Sequence, residues 1–229
     1  MPPTSEAVVD ARGITRRFGG SGAVIALAGV DLVVAPGSLT VVAGASGSGK
    51  STLLGIVAAL DRPDEGRVEV VGVELTAMSA RRRREWRRHS LGYIGARPSE
   101  NLTDHHDAAG NVMWAASLRG TSTARLDRAA ARERMATVGL GGLGDRGIRD
   151  LSTGEQQRLA FVCALVGAPS VVVADEPTAS LDATSATALV EVMRSLVGGG
   201  ATLVVASHDE RVIDAADALV RLDHGRRVE

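Results

Sequence analysis

The sequence predicts an α/β fold, a core of buried strands with a helical segment inserted into it, and three observations predict it. The apolar strand Leu39–Ala43 runs straight into a glycine-rich loop, and residues 51–60 then read as a helix with a broad apolar face. Val171–Asp175 and residues 202–207 are short apolar runs of the length of buried strands, each leading into a polar residue, Asp175 and His208. Residues 97–158 carry helical stretches and glycine-rich loops but little strand signal.

Taken in order, residues 30–34 and 39–43 read as two strands around the turn Pro36-Gly37. Residues 61–66 are rich in turn formers, and 67–73 alternate as a strand. Residues 78–89 form a very basic helix, followed by the short strand Leu91–Ile94. Helices are expected over 111–118 and 123–138, then over 183–196, and residues 219–222 and 226–228 pair as a closing hairpin. No internal repeat is visible, so the chain has enough length for one nucleotide site and not two.

At 229 residues the chain can bury a substantial core without staples. Its net charge of -1 gives no general attraction to nucleic acid or anionic membrane. One cysteine, Cys163, excludes an internal disulfide and fits a reducing compartment. Residues 1–6 lack a basic start followed by an apolar run, so no signal peptide is expected, and no window is long and apolar enough to span a membrane. Any role at a membrane is therefore expected to run through a partner.

Of 26 basic residues, 25 are arginine and one, Lys50, is lysine. It lies in Gly44-Ala45-Ser46-Gly47-Ser48-Gly49-Lys50-Ser51, which matches the phosphate loop G-x-x-x-x-G-K-[ST]. Backbone N–H groups of such a loop cradle phosphate oxygens, and a compact ammonium on a thin stem enters a slot that a planar guanidinium cannot. A nucleoside triphosphate is the expected ligand. Mg²⁺ then needs a carboxylate beside the Ser51 hydroxyl, and Asp175 fills that role. Glu176 can orient and polarise a water for in-line attack on the γ-phosphate. Read in isolation, Asp175-Glu176-Pro177 is equally a polar strand end.

Leu151-Ser152-Thr153-Gly154-Glu155-Gln156-Gln157-Arg158 admits two readings. Ser152 can cap a helix starting at Thr153, with Glu155 completing a capping box. The same helix start, with its free N–H groups and hydroxyl, is an anion site. With the phosphate loop before it and Asp175 after it, the segment resembles the signature of the ATP-binding-cassette (ABC) ATPases, usually L-S-G-G-[QE]-Q-Q-R, and the resemblance covers essentially the whole chain.

That resemblance implies an ABC ATPase core with an antiparallel β subdomain and an inserted helical subdomain. Residues 1–95 and 161–229 would form the two parts of the ATP-binding core and 96–160 the helical subdomain. It implies ATP and Mg²⁺ as cofactors, a nucleotide site reaching Thr52, and two cassettes closing head-to-tail over two nucleotides. Ser152, Thr153, Gly154 and Glu155 would then face the ATP of a second ATPase subunit, a homodimer being the simplest case. Ala179-Ser180-Leu181-Asp182 resembles the D-loop on the same interface. His208 matches the switch histidine at the γ-phosphate, so that Glu176, His208 and Lys50 form the catalytic set, and Phe18 sits where the family stacks an aromatic on adenine. Without the family, His208 reads as a surface residue and Phe18 as core.

The stretches Ala26-Leu27-Ala28-Gly29-Val30, Leu60-Asp61-Arg62-Pro63 and Ala174-Asp175-Glu176-Pro177-Thr178 are similar to the branch that serves lipoprotein-release and macrolide-export permeases. A transmembrane permease at the cytoplasmic face of the membrane is the partner this implies. One position departs from the pattern: Ala96 stands where the family has a glutamine that contacts Mg²⁺ and the attacking water and couples the site to the permease. Glu176 and His208 remain for hydrolysis, while coupling is altered. A slow, ATP-dependent regulatory switch is the alternative this leaves open. The basic run Arg81-Arg82-Arg83-Arg84 is read as a solvated face, with no nucleic-acid partner, and His105-His106-Asp107 is not a closed metal site.

Overall fold

The computed structural model describes residues 7–19, 23–119 and 126–228. Two sheets organise it. Strands β1 (Val9–Phe18), β2 (Val24–Val34), β4 (Glu65–Val70) and β5 (Val73–Glu74) form an antiparallel sheet in the order β2-β1-β4-β5. Strands β3 (Leu39–Ala43), β6 (Leu91–Ile94), β7 (Val171–Asp175), β8 (Leu203–Ser207), β9 (Ala218–Asp223) and β10 (Arg226–Arg227) form the second, in the order β10-β9-β3-β8-β7-β6. All its neighbours are parallel except the β9–β10 hairpin.

Strands of a parallel sheet are buried on both faces, which is why β3, β7 and β8 read as largely apolar runs, the polar exceptions being Thr40 and the terminal Asp175 and Ser207. Their alternate residues serve two cores. Val42, Val171, Val173, Val204 and Ala206 pack with Leu53, Leu54, Ile56 and Val57 of helix α1 (Lys50–Val57). Leu39, Val41, Val172, Leu203 and Val205 pack with Phe161 of helix α5 (Thr153–Leu165) and with Leu189 and Met193 of helix α6 (Ala183–Gly198). The first core continues into β1 and β2 through Val9, Ile14, Leu27 and Leu32, so α1 is clamped between the sheets.

A third cluster belongs to helices α3 (Ala108–Arg119), α4 (Arg128–Ala136) and α5. Helix α5 is apolar on both sides, with Phe161 turned to the sheet and Leu159 and Val162 to this lobe. The lobe therefore cannot move without its effect reaching α5.

Several elements differ from the sequence reading. Strand β1 has no counterpart in it, and β2 begins at Val24 rather than at residue 30. The strands on either side of Pro36-Gly37 belong to different sheets. Residues 67–73 divide at Val71-Gly72, both at positive φ, into β4 and β5. The basic helix, α2, spans Ala80–Ser90 with Ser79 as its cap, and a short helix α7 (Glu210–Asp214) follows β8. Helix α4 lies within the segment expected over 123–138, of which residues 123–125 lie outside the described residues.

Candidate functional site

The loop after β3, the end of β7 and the residue after β8 meet at one edge because all three strands run in the same direction. Ala43 lies opposite Ser207, and Asp175 opposite Ala206. The carboxyl ends of parallel strands are where α/β folds bind ligands. A cleft of about 480 Å³ opens there, its floor made by Ala45 to Gly47 and Gly49 to Thr52, its walls by Glu176, His208 and Val24 to Ala26.

The loop's shape follows from its glycines. Gly44 and Gly49 have φ of 155° and 103°, which a side chain rarely tolerates. A Cβ on Gly49 would also lie 2.5 Å from the Ala26 carbonyl, and one on Gly44 would run into the Leu222 carbonyl. The loop therefore wraps tightly and ends at the N-terminus of α1, whose free N–H groups face the cleft.

Lys50 is 6% exposed, and its ammonium donates to the carbonyls of Gly44 at 2.7 Å and Ala45 at 3.0 Å. Glu176 Oε1 lies 3.2 Å from it. Glu176 Oε2 lies 2.9 Å from His208 Nδ1, so the carboxylate bridges lysine and histidine. Glu176 holds a φ of 46°, a strained value for a non-glycine residue that aims its side chain across the cleft.

Asp175 lies behind Glu176. Burial raises its carboxyl above the ordinary range, the neighbouring Glu176 adds to this, and a hydrogen bond to Ser51 and the charge of Lys50 oppose it. Its Oδ1 is buried without a hydrogen-bond partner. A buried orphan carboxylate oxygen beside a hydroxyl is a fitting donor pair for a hard oxygen-seeking cation, so Ser51 and Asp175 fit Mg²⁺.

Seven of the expected binding residues line this cleft: Ala45, Ser46, Gly47, Gly49, Lys50, Ser51 and Thr52. Gly44 and Ser48 stand behind the loop. Phe18 is 45% exposed at the end of β1, opposite Val24 of the cleft wall, and the Arg16 guanidinium covers its ring at 4.7 Å. Val24 and Ile25 were missed by the sequence reading; their signal is 68% and 52% exposure of branched apolar side chains beside a polar loop.

Ser152, Thr153, Gly154, Glu155 and Asp182 line a different surface. Both halves of the capping box form: Ser152 Oγ accepts from Glu155 N at 3.3 Å, and Glu155 Oε2 from Ser152 N at 2.7 Å. That backbone contact, foremost, holds the Glu155 carboxyl below its ordinary range. Asp182 caps α6 by accepting from Ser185 N at 2.9 Å and Ser185 Oγ at 2.8 Å, which lowers its carboxyl too. A Cβ on Gly154 would meet Ser185 at 2.9 Å, so the two helix starts abut. Ser152, Thr153 and Asp182 are exposed there, outside the cleft that the phosphate loop lines.

A family model described as "ABC transporter" matches residues 27–179. The chain is 36% identical to the lipoprotein-releasing system ATP-binding protein LolD 1 of Caulobacter vibrioides over 96% of itself and 94% of that protein. It is also 36% identical to the macrolide export ATP-binding/permease protein MacB 1/2 of Paracoccus denitrificans, over its whole length but only 34% of that protein. A MacB of Rhodopseudomonas palustris gives 35% over 33% of its length, so the chain spans about a third of these longer relatives. Among solved structures, the ATP-binding cassette MJ0796, a dimer in a post-hydrolysis state bound to ADP and Pi, superposes with a TM-score of 0.85 at 27% identity, covering 96% of this chain and 97% of that one.

Proposed function

This chain belongs to the ABC transporter family, and we propose that it is the ATP-binding and ATP-hydrolysing subunit of such a transporter, closing as a dimer over two nucleotides. The observation that carries the reading is the convergence of Lys50, Glu176 and His208 with Ser51 and Asp175 at one end of one cleft.

Each residue then has a role set by its position. The phosphate enters over the N-terminus of α1, and Lys50 exchanges Glu176 for the β- and γ-phosphate oxygens. Glu176, so released, accepts the proton of a water attacking the γ-phosphorus in line, and the bond from that phosphorus to the bridging oxygen breaks. His208 holds Glu176 through Nδ1 and fixes the carboxylate's direction. Ser51 and Asp175 would hold Mg²⁺, which supplies charge neutralisation on the phosphates. Val24 and Ile25 offer an apolar wall to the base, next to Phe18. Ser152, Gly154 and Asp182, which do not line the Lys50 cleft, would close over the nucleotide of the second subunit.

A second groove, of about 450 Å³, supports a membrane partner. Tyr93, Trp114 and Leu118 give it an exposed apolar surface, and Arg84, Arg87 and Arg88 line one side. Among the described residues no acidic side chain lines it, so its charge complements a short amphipathic helix that carries carboxylates, supplied by the cytoplasmic side of a permease. No described helix is long and apolar enough to cross a membrane itself. LolD and MacB name lipoprotein release and macrolide export, and an exporter or a complex that transmits movement across the membrane is the transport class we favour.

Ala96, half-buried just after β6, favours a second reading, a slow ATP-dependent switch on the same partner. Steady-state hydrolysis of Mg²⁺–ATP by the purified chain, alone and with its permease, decides between them. Turnover well above that of a Glu176→Gln variant establishes the ATPase, and no excess over that variant establishes the switch. Failure of either protein to bind nucleotide would overturn both.

A further inference from the structure

The segment after β6 brings one more carboxylate to the cation end of the nucleotide site. β6 and β7 run parallel with Ile94 beside Ala174, which sets Gly95 next to Asp175 at the strand ends. The chain then folds back in a single helical turn, Pro98–Glu100. Asn101 locks the turn: its Oδ1 accepts from Gly95 N at 2.8 Å, and its Nδ2 donates to the carbonyls of Gly95 at 3.2 Å and Arg97 at 3.0 Å. Glu100 N donates to the Arg97 carbonyl at 3.0 Å.

This places the Glu100 carboxylate over the Gly95 Cα, in space that any side chain at position 95 would fill. From there its charge acts on both Asp175 and Tyr93. No described residue gives its carboxylate a hydrogen bond or an ion pair. Asp175 and Glu100 thus lie near each other at the strand ends, beside the cleft in which Lys50 is paired with Glu176, and Asp175 Oδ1 has no hydrogen-bond partner. Ala96 contributes only a methyl group on this side.

Resting on the nucleotide reading above, we propose that Glu100 is a further residue of the cation site, which from the β6 side would support the Mg²⁺ that Ser51 and Asp175 would hold. A carboxylate aimed at a triphosphate is repulsive unless a divalent cation lies between them. Glu100 therefore weakens nucleotide binding without a cation and strengthens binding of the cation once nucleotide is present. Ligand charge is what tunes such affinities.

The test titrates Mn²⁺, read by electron paramagnetic resonance, into protein saturated with a non-hydrolysable ATP analogue, and separately measures analogue binding in EDTA. Glu100→Gln is expected to weaken Mn²⁺ binding roughly tenfold, as loss of a supporting ligand does, while binding in EDTA is equal or tighter. The difference is expected to persist in 0.5 M KCl, where long-range attraction is screened within roughly 3–10 Å. Unchanged Mn²⁺ affinity, or a difference that vanishes in salt, overturns the role of Glu100. Failure of the unaltered chain to bind the analogue at all would instead overturn the nucleotide reading.

Discussion

Glu176 Oε1 stands 3.2 Å from the Lys50 ammonium, so in this state the lysine of the phosphate loop is held by the carboxylate next to which the γ-phosphate would bind. The two are mutually satisfied in a pair where Lys50 is 6% and Glu176 17% exposed. Nucleotide binding must break this contact before it makes its own.

Glu176→Gln should therefore separate binding from turnover. It removes the competitor for Lys50 and a charge that repels the γ-phosphate, an effect on the order of 1 kcal/mol, or several-fold in affinity. It also removes the proton acceptor, with an expected loss of about 10²–10⁴ in turnover. Equilibrium binding of a fluorescent ATP analogue and single-turnover hydrolysis measure the two. Weaker binding of nucleotide to the variant would contradict the competition.

Asp175 should trade stability for metal binding. Its carboxyl is raised chiefly by burial, so the folded state binds this proton more tightly than the unfolded chain. The stability this group contributes is full below the ordinary carboxylate range and is lost as pH rises through the raised value. Once ionised, the side chain thus costs the nucleotide-free fold stability, and above the raised value Asp175→Asn should melt higher than the unaltered chain. The gap should close as pH falls toward 4. Mg²⁺–ATP should raise the melting temperature of the unaltered chain and not of the variant.

The core and the phosphate loop were legible because their signals are local. Buried on both faces, β3, β7 and β8 are apolar except at Thr40 and at the terminal Asp175 and Ser207, and Gly44 to Ser51 carry their constraint within eight residues. β1 was not legible. Its register shifts between Ala11 and Ile14 and again before Arg16 and Arg17, so the period-two pattern is broken and charged residues fall in a row. In β2, Val24-Ile25-Ala26-Leu27 lack alternation because their outward side chains line the cleft. The Lys50–Glu176 contact joins residues far apart in sequence and needs the parallel register of β3, β8 and β7 to exist. The capping box at Ser152 was legible and forms as expected, since it depends on four successive residues only.

Cys163 should be inert in the folded chain. It is 8% exposed, and burial pushes its thiol up to about 12 despite the opposing charge of Arg119. Only the thiolate reacts with disulfide reagents. Titration with a chromogenic disulfide at pH 8 should find no reactive thiol in native protein and one per chain in denaturant. Rapid native labelling would mean that α5 opens from the lobe.

Ser152 can be made to distinguish its two roles. As the cap of α5 it contributes about 1 kcal/mol, a loss expected in Ser152→Ala by thermal melting. Aspartate caps a helix as well as serine does, so Ser152→Asp should melt with the unaltered chain. The added charge sits on the exposed start of α5, where a second subunit would bring its γ-phosphate, and there it repels. Ser152→Asp should therefore bind ATP at its own Lys50 with unchanged affinity, yet fail to dimerise on ATP in a Glu176→Gln background, as read by sedimentation. If the doubly substituted chain dimerises as readily as Glu176→Gln alone, Ser152 is only a cap, and the shared site loses its second half.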